Sequence, residues 1–351
     1  MVVDDIAAMR LALALARRGV GCTSPNPPVG AVIVQEGKVV GKGWHKAAGQ
    51  PHAEIEAIND ALRTQQDLRG ATLYVTLEPC STLGRTPPCT EAIIKEKFAR
   101  VVIGCSDPNP SHSGIATPIL KKEGIVVTEG VLREKCRWLI RAFAKHVNTG
   151  LPWVVAKLAV SLDGRIAPAP GQDRVLSGPQ SLRFAHRLRL ESDAIVVGAG
   201  TVRADDPALT IRYVPVPKQK KQPWRVILTR SGDIPANARV LTDEHRHRTQ
   251  IVHNCTWPDL LRKLSQGGVQ SVLIEGGGKT VASALEAGVV DELHLIVCPV
   301  VLGGPVQAFA TERWLIPPVK AKMFSPRRLG KDMLISAVLS RDYLISQPQE
   351  H

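Results

Sequence analysis

Short β-branched and apolar runs alternate along this chain with stretches whose apolar positions recur at helical spacing. In the first part, Val29–Val34, Val39–Gly43, Thr72–Leu77, Val101–Cys105 and Ile125–Thr128 read as strands. The run Thr72–Leu77 is almost wholly apolar and β-branched and lies between Gly70 and Pro79, which predicts a buried strand. Ala53–Leu62 carries Ile55, Ile58, Ala61 and Leu62 three or four apart, so it reads as a helix. Helices fit between the other strands as well, and the layout is an α/β sandwich with short connections.

The pattern breaks at Thr149-Gly150-Leu151-Pro152, and a new strand begins at Trp153–Val160. The division is placed there, giving domains 1–148 and 149–351. Beyond it, strands are expected at Ala194–Val197, Arg225–Leu228, Thr249–Val252, Ser271–Glu275, Leu293–Cys298 and Met333–Leu339, with helices over 179–191, 258–267 and 280–288. Glycines mark the strand-to-helix junctions at Gly198-Ala199-Gly200 and Gly276-Gly277-Gly278. Such junctions let backbone approach a pyrophosphate, with amide donors from the helix that follows. Neither run completes a known phosphate fingerprint: the first lacks its third glycine, and Leu273 stands where Gly278-Lys279-Thr280 needs an earlier one.

A length of 351 residues and an apolar content of 44% suit two globular domains. No apolar run reaches the roughly 18 residues of a membrane span, no leader-like segment opens the chain, and a cytoplasmic protein is expected. Seven cysteines, an odd number scattered along the chain, fit reduced thiols rather than a disulfide framework. The net charge of +13 invites a nucleic-acid reading, but it is not one block. Its densest run, Lys218–Lys221, lies among prolines and reads as a solvated loop. Aromatic residues make up only 4% and are not interleaved with the basic ones, so no base-stacking platform is expected.

The sharpest chemistry lies in His52-Ala53-Glu54, Pro79-Cys80 and Cys89. They supply three zinc-type ligands and one carboxylate that is not needed as a ligand. Catalytic zinc takes three protein ligands and leaves a position for water, while a nearby glutamate moves the proton. A helix starting at Cys80 would favour its thiolate, and His52 and Glu54 fall on the first turn of the 53–62 helix. The nine-residue step from Cys80 to Cys89 departs from the spacing of nucleoside and tRNA deaminases. Two other readings stay open here: a nucleic-acid deaminase with an accessory domain, and a structural zinc with a fourth ligand from Cys105 or His45.

Thr23–Gly30, His52–Glu54, Glu78–Cys89 and Asp107–Pro110, followed by Ser161–Gly164, Ser192–Thr201, Ala204–Arg212 and Glu275–Gly277, resemble the bifunctional riboflavin-biosynthesis deaminase/reductase family in its own order. The resemblance covers nearly the whole chain. It implies a cytidine-deaminase-like α/β/α sandwich followed by a dihydrofolate-reductase-like α/β domain. The implied reactions are zinc-dependent deamination of a diaminopyrimidinone ribosylamine phosphate, then NADPH-dependent reduction of its ribose to a ribityl chain. His52, Cys80 and Cys89 would hold Zn2+, Glu54 would move the proton, and Asn26 would contact substrate. On the reductase side the resemblance gives substrate roles to Lys157, Asp173, Arg189, Asp205, Leu209, Arg212 and Glu275, with Arg189 on a phosphate. It gives cofactor roles to Ala159, Val175, Ser177, Thr201, Asp205, Arg230, Gly277, Gly278, Lys279, Thr280, Val281, Ala282 and Ser283. Three positions depart from the family pattern: Val175-Leu176-Ser177 lacks an aromatic wall, Asp173 replaces a small hydroxyl with Arg174 beside it, and Arg230 brings a cation that could reach the cofactor 2′-phosphate. The expected partners are the phosphorylated small molecule and a second copy of the chain through the reductase domain, with neither nucleic acid nor membrane.

Overall fold

The chain divides into two units, residues 1–149 and 150–351. The computed structural model describes residues 3–82, 87–169, 175–311 and 315–339. Asp173, assigned to substrate above, lies outside the described residues, as does Arg174.

The first unit runs α1 (Asp5–Ala16), β1 (Gly30–Gln35), β2 (Lys38–Trp44), α2 (Ala53–Leu62), β3 (Thr72–Leu77), α3 (Cys89–Lys95), β4 (Arg100–Cys105), α4 (Ala116–Lys122), β5 (Val126–Glu129), α5 (Arg133–Leu139) and α6 (Arg141–Thr149). Its sheet has the order β2-β1-β3-β4-β5, antiparallel at the β2 end and parallel from β3 onward. Because successive strand residues face opposite ways, Ala31, Ile33, Leu73 and Val75 pack against α2 while Val32, Val34 and Tyr74 pack against α1. Both faces are therefore covered, which is why these strands read as continuous apolar runs.

The approach of α2 to β2 sets the position of the first site. A Cβ added to Gly43 would lie 2.3 Å from the Ala53 carbonyl oxygen and 2.4 Å from the Ala57 nitrogen. Gly43→Ala is therefore expected to push the first turn of α2 outward and cost about 1–3 kcal/mol, read as a lower midpoint in denaturant.

The second unit contains β6 (Trp153–Val160), α7 (Pro179–Glu191), β7 (Ala194–Gly198), α8 (Ala199–Asp205), β8 (Trp224–Thr229), α9 (Arg239–Thr242), β9 (Thr249–His253), α10 (Trp257–Gln266), β10 (Ser271–Glu275), α11 (Gly278–Glu286), β11 (Glu292–Val297), β12 (Met323–Leu329) and β13 (Asp332–Val338). The strand order is β12-β13-β11-β6-β10-β7-β8-β9, parallel from β11 to β9 and antiparallel at the other end. Val154, Ala156, Leu158 and Val160 face α10 and α11; Ala159 faces the other way, with Phe184 of α7. β12 escapes the sequence pattern because Pro326 and Arg327-Arg328 interrupt it, and an edge strand tolerates both. Among the described residues no helix is long and apolar enough to cross a membrane.

Candidate active sites

In the first unit, α2 begins directly after His52, which is its N-cap, and Glu54 lies in its first turn. An acidic residue suits that end of a helix, where the amides are unpaired. The strand β3 ends at Leu77 and delivers Cys80 three residues later. The helix start that the sequence left open at Cys80 is not there. Pro87 and Pro88 favour extended backbone, and α3 starts only at Cys89. The helix end nevertheless reaches Cys80, because the Cys89 backbone N–H donates to Cys80 Sγ at 3.3 Å.

His52 Nδ1 lies 3.5 Å from Cys80 Sγ and 3.4 Å from Cys89 Sγ, and all three donor atoms fall within 4.8 Å of one another. Tetrahedral zinc with ordinary Zn–S and Zn–N bonds separates such donors by about 3.6 Å. The imidazole and two sulfurs therefore fit zinc in both chemistry and spacing. The Cys89 thiol and His52 hold Cys80 down as the thiolate, at about 4, while the Cys80 partner and burial hold Cys89 up. Burial, then the Cys80 charge, pushes the Glu54 carboxyl up to about 7, and the residue is only 3% exposed.

Neither proposed fourth ligand joins this group. Cys105 is buried and donates to the Thr76 carbonyl oxygen. His45 Nδ1 is 3.1 Å from the Pro51 carbonyl oxygen, and its Nε2 is 3.1 Å from Asn26 Nδ2. Those partners require a proton on Nδ1 and a lone pair on Nε2, the neutral ring that burial also favours. His45 thus orients the Asn26 amide and stands edge-on to His52, with ring centres 5.3 Å apart. From the sequence His45 offers itself only as a metal ligand; its position next to Trp44 at the end of β2 is the signal for this other role.

In the second unit, a cavity of about 790 Å³ opens around the carboxyl ends of the parallel strands, where α/β sheets place ligands. Lys157, Ala159 and Arg189 line it on one side, with Thr201, Asp205 and Leu209 following. Arg230, Glu275 and the run Gly277-Gly278-Lys279-Thr280 complete the expected set. Gly277 precedes α11 with φ at 71°, a conformation that favours glycine. A Cβ on Gly198 would come within 2.7 Å of Thr280 Oγ1, so a side chain there would crowd this part of the cavity. An adjoining cavity of about 600 Å³ shares Arg230, Lys279 and Thr280 and adds Ser283.

Other expected contacts fall elsewhere. Helical spacing turns Val281 and Ala282 into the core while Lys279, Thr280 and Ser283 face the cavities. Val175 is 66% exposed, and neither it nor Ser177 is among the described lining residues. Arg212 is also outside that lining; its backbone N–H donates to His186 Nδ1 at 2.8 Å and its guanidinium stacks over Tyr213.

Arg189 lines the cavity, but each of its guanidinium nitrogens already has a protein acceptor. Nε and Nη2 each donate to the Glu275 carboxylate at 2.7 Å, and Nη1 donates to the Thr210 carbonyl oxygen at 2.8 Å. It therefore braces Glu275 instead of presenting a bare cation to phosphate. Burial raises Glu275, but the Arg189 charge and paired hydrogen bonds win and leave it lowered. A depressed carboxyl stabilises the fold above its unfolded pKa, and that contribution disappears as pH falls through the folded value. Arg189→Leu would strand the carboxylate, and an unfolding titration at neutral pH is expected to show a loss of about 3–5 kcal/mol.

Residues 3–105 match the family model for the cytidine and deoxycytidylate deaminase zinc-binding region, and residues 152–335 match the RibD C-terminal domain. The riboflavin biosynthesis protein RibD of Aquifex aeolicus is 37% identical, over 93% of this chain and 96% of its own. The chain belongs to the RibD family. The Escherichia coli RibD is 35% identical over 96% of this chain and 100% of its own. Acinetobacter baumannii RibD, in its form 1 structure, gives a TM-score of 0.84 at 35% identity, covering 96% of this chain and 99% of that one. The solved diaminohydroxyphosphoribosylaminopyrimidine deaminase/5-amino-6-(5-phosphoribosylamino)uracil reductase of Thermotoga maritima gives 0.83 at 34%, with the same 96% and 99% coverage. As a RibD protein, the chain is a bifunctional enzyme of riboflavin biosynthesis, with a zinc-dependent deaminase domain followed by an NADPH-dependent reductase domain.

Proposed function

We propose that the first unit removes ammonia from the diaminopyrimidinone ribosylamine phosphate and that the second reduces the resulting 5-amino-6-(5-phosphoribosylamino)uracil to its ribityl product. The observation that carries this reading is the triangle of His52, Cys80 and Cys89 donors with buried Glu54 on the adjoining helical turn. When bound there, zinc supplies Lewis acidity that brings the pKa of a water toward neutrality. Glu54 takes a proton from the attacking water and returns one to the leaving amine, so the C–N bond breaks as ammonia forms. Asn26, oriented by His45, holds the pyrimidine.

In the second unit the α11 amides, Lys279 and Arg230 would bind the phosphates of NADPH, whose chemical contribution is the hydride. The reduction also consumes one proton. Lys157 would donate it, since burial lowers its pKa despite the opposing charge of Glu275 across the β6–β10 pair and so eases release of the ammonium proton. Asp205 and Leu209 shape the substrate end of the same cavity.

The exposed Met323 and Phe324 on edge strand β12, together with Met333 on β13, support pairing with a second copy through the reductase domain. None of the seven cysteines is joined in a disulfide and two of them are the proposed zinc ligands, which is in keeping with a reducing, cytoplasmic location. The metal assignment is tested by chelation. Stripping zinc is expected to abolish ammonia release while leaving NADPH oxidation intact when the deaminated uracil is supplied. Undiminished ammonia release from metal-free protein would refute it.

A further inference from the structure

The Ser161-Leu162-Asp163-Gly164 turn sits beyond the end of β6, and its aspartate carboxylate does not line the cavity described above. It is nevertheless heavily bonded. Asp163 Oδ1 accepts from the Leu302 backbone N–H at 3.0 Å and Oδ2 from the Gly303 N–H at 2.7 Å. The Ser161 hydroxyl donates to Oδ1 at 2.6 Å, and Ser161 Oγ accepts from the Arg165 N–H at 2.9 Å. Around this centre, Leu162 N–H donates to Val300 O, Ile166 N–H to Val306 O and Ala308 N–H to Gly164 O. The turn and the segment 300–308 are thus stitched together from both sides.

That segment supplies a cavity wall through Pro305, Val306 and Gln307. Its backbone also presses on the start of α11: a Cβ at Gly278 would lie 2.1 Å from the Gln307 carbonyl oxygen and 2.9 Å from that of Ala308. The contact leaves no slack, so the position of the segment fixes where the α11 amides point. Two charge-assisted bonds to consecutive backbone amides are a stronger tether than neutral ones of equal length. Ionisation is secure, because the Ser161 hydroxyl and the two amides hold the carboxyl at about 2.

We propose that Asp163 is a positioning residue for cofactor binding: by clamping Leu302 and Gly303 it seats the 300–308 segment against Gly278 and so aligns the N-terminus of α11 with the NADPH phosphates. The proposal rests on the reductase reading of this cavity. It assigns a role to a turn that makes up part of the sequence resemblance but that neither reaction step uses.

The test is NADPH binding to the full zinc-loaded chain, followed by cofactor fluorescence, for the unaltered protein and Asp163→Asn. The isosteric amide keeps the size of the side chain but removes the charge and one acceptor. The expected result is a Kd and KM for NADPH raised about tenfold with kcat held within about twofold, since the reacting groups are untouched. Amide hydrogen exchange on the same proteins separates positioning from collapse. Faster exchange confined to the 300–308 segment and the start of α11 supports the clamp, whereas faster exchange throughout the second unit overturns it. Equal NADPH affinity in the two proteins overturns the clamp alone. Failure of the unaltered protein to bind NADPH overturns the reductase reading, and the clamp with it.

Discussion

Glu54→Gln is expected to lower ammonia release on the order of a thousandfold while the protein keeps about one zinc per chain. The two side chains have nearly the same shape, so the first turn of α2 and the three metal ligands should be undisturbed. What the amide loses is the ability to take and return a proton. The carboxyl is suited to that exchange because burial and the Cys80 charge push it up to about 7, close to the pH at which it must cycle. Metal content read by atomic emission and ammonia read enzymatically separate the two roles. Full deaminase activity in a zinc-loaded variant would mean that another group moves the proton.

Lys157→Met is expected to reduce NADPH oxidation by at least about a hundredfold while ammonia release stays at the level of the unaltered enzyme. Methionine keeps most of the apolar stem, so packing between β10 and β11 is retained and only the cationic end is removed. Lys157 lies beside the Arg189–Glu275 pair, buried among their charges. Its lowered pKa means that the ammonium gives up a proton more readily than a solvated lysine does. Stopped assays with the deaminated uracil as substrate measure the loss directly. If both activities fell together, the variant would have lost its fold, or the two reactions would be obligatorily coupled.

Much of the architecture could be read from local pattern because both sheets are buried on two faces. Strands such as Thr72–Leu77 and Trp153–Val160 therefore carry near-continuous apolar or β-branched runs, with Lys157 the one charge in the second, and their observed limits coincide with those runs. β12 carries no such signal, since its residues Met323–Leu329 are largely exposed and pair on one side only. The His52, Cys80 and Cys89 cluster was legible because zinc chemistry calls for imidazole and thiolate, whatever fold brings them together. Whether a helix follows directly on Cys80 was not legible from local pattern; α3 starts nine residues later at Cys89, where Pro87-Pro88 marks the boundary.

The reductase residues divide along the same line. Lys157 and Glu275 sit on strands whose register fixes them side by side, so a strand pattern suffices to bring them to one place. Arg212 belongs to a loop held by α7, where His186 accepts from the Arg212 N–H and Arg189 donates to the Thr210 carbonyl oxygen, and no spacing along the chain encodes that. The same holds for Arg189: its position on α7 was predictable, but the bidentate bond to a residue 86 positions away was not.

The most direct test follows ammonia and NADPH separately in one reaction that starts from the diaminopyrimidinone ribosylamine phosphate. Ammonia should appear first, and NADPH oxidation should follow after a lag and approach one equivalent per ammonia released. NADPH oxidised before any ammonia forms, or ammonia released with no NADPH consumed, would contradict the two-step account.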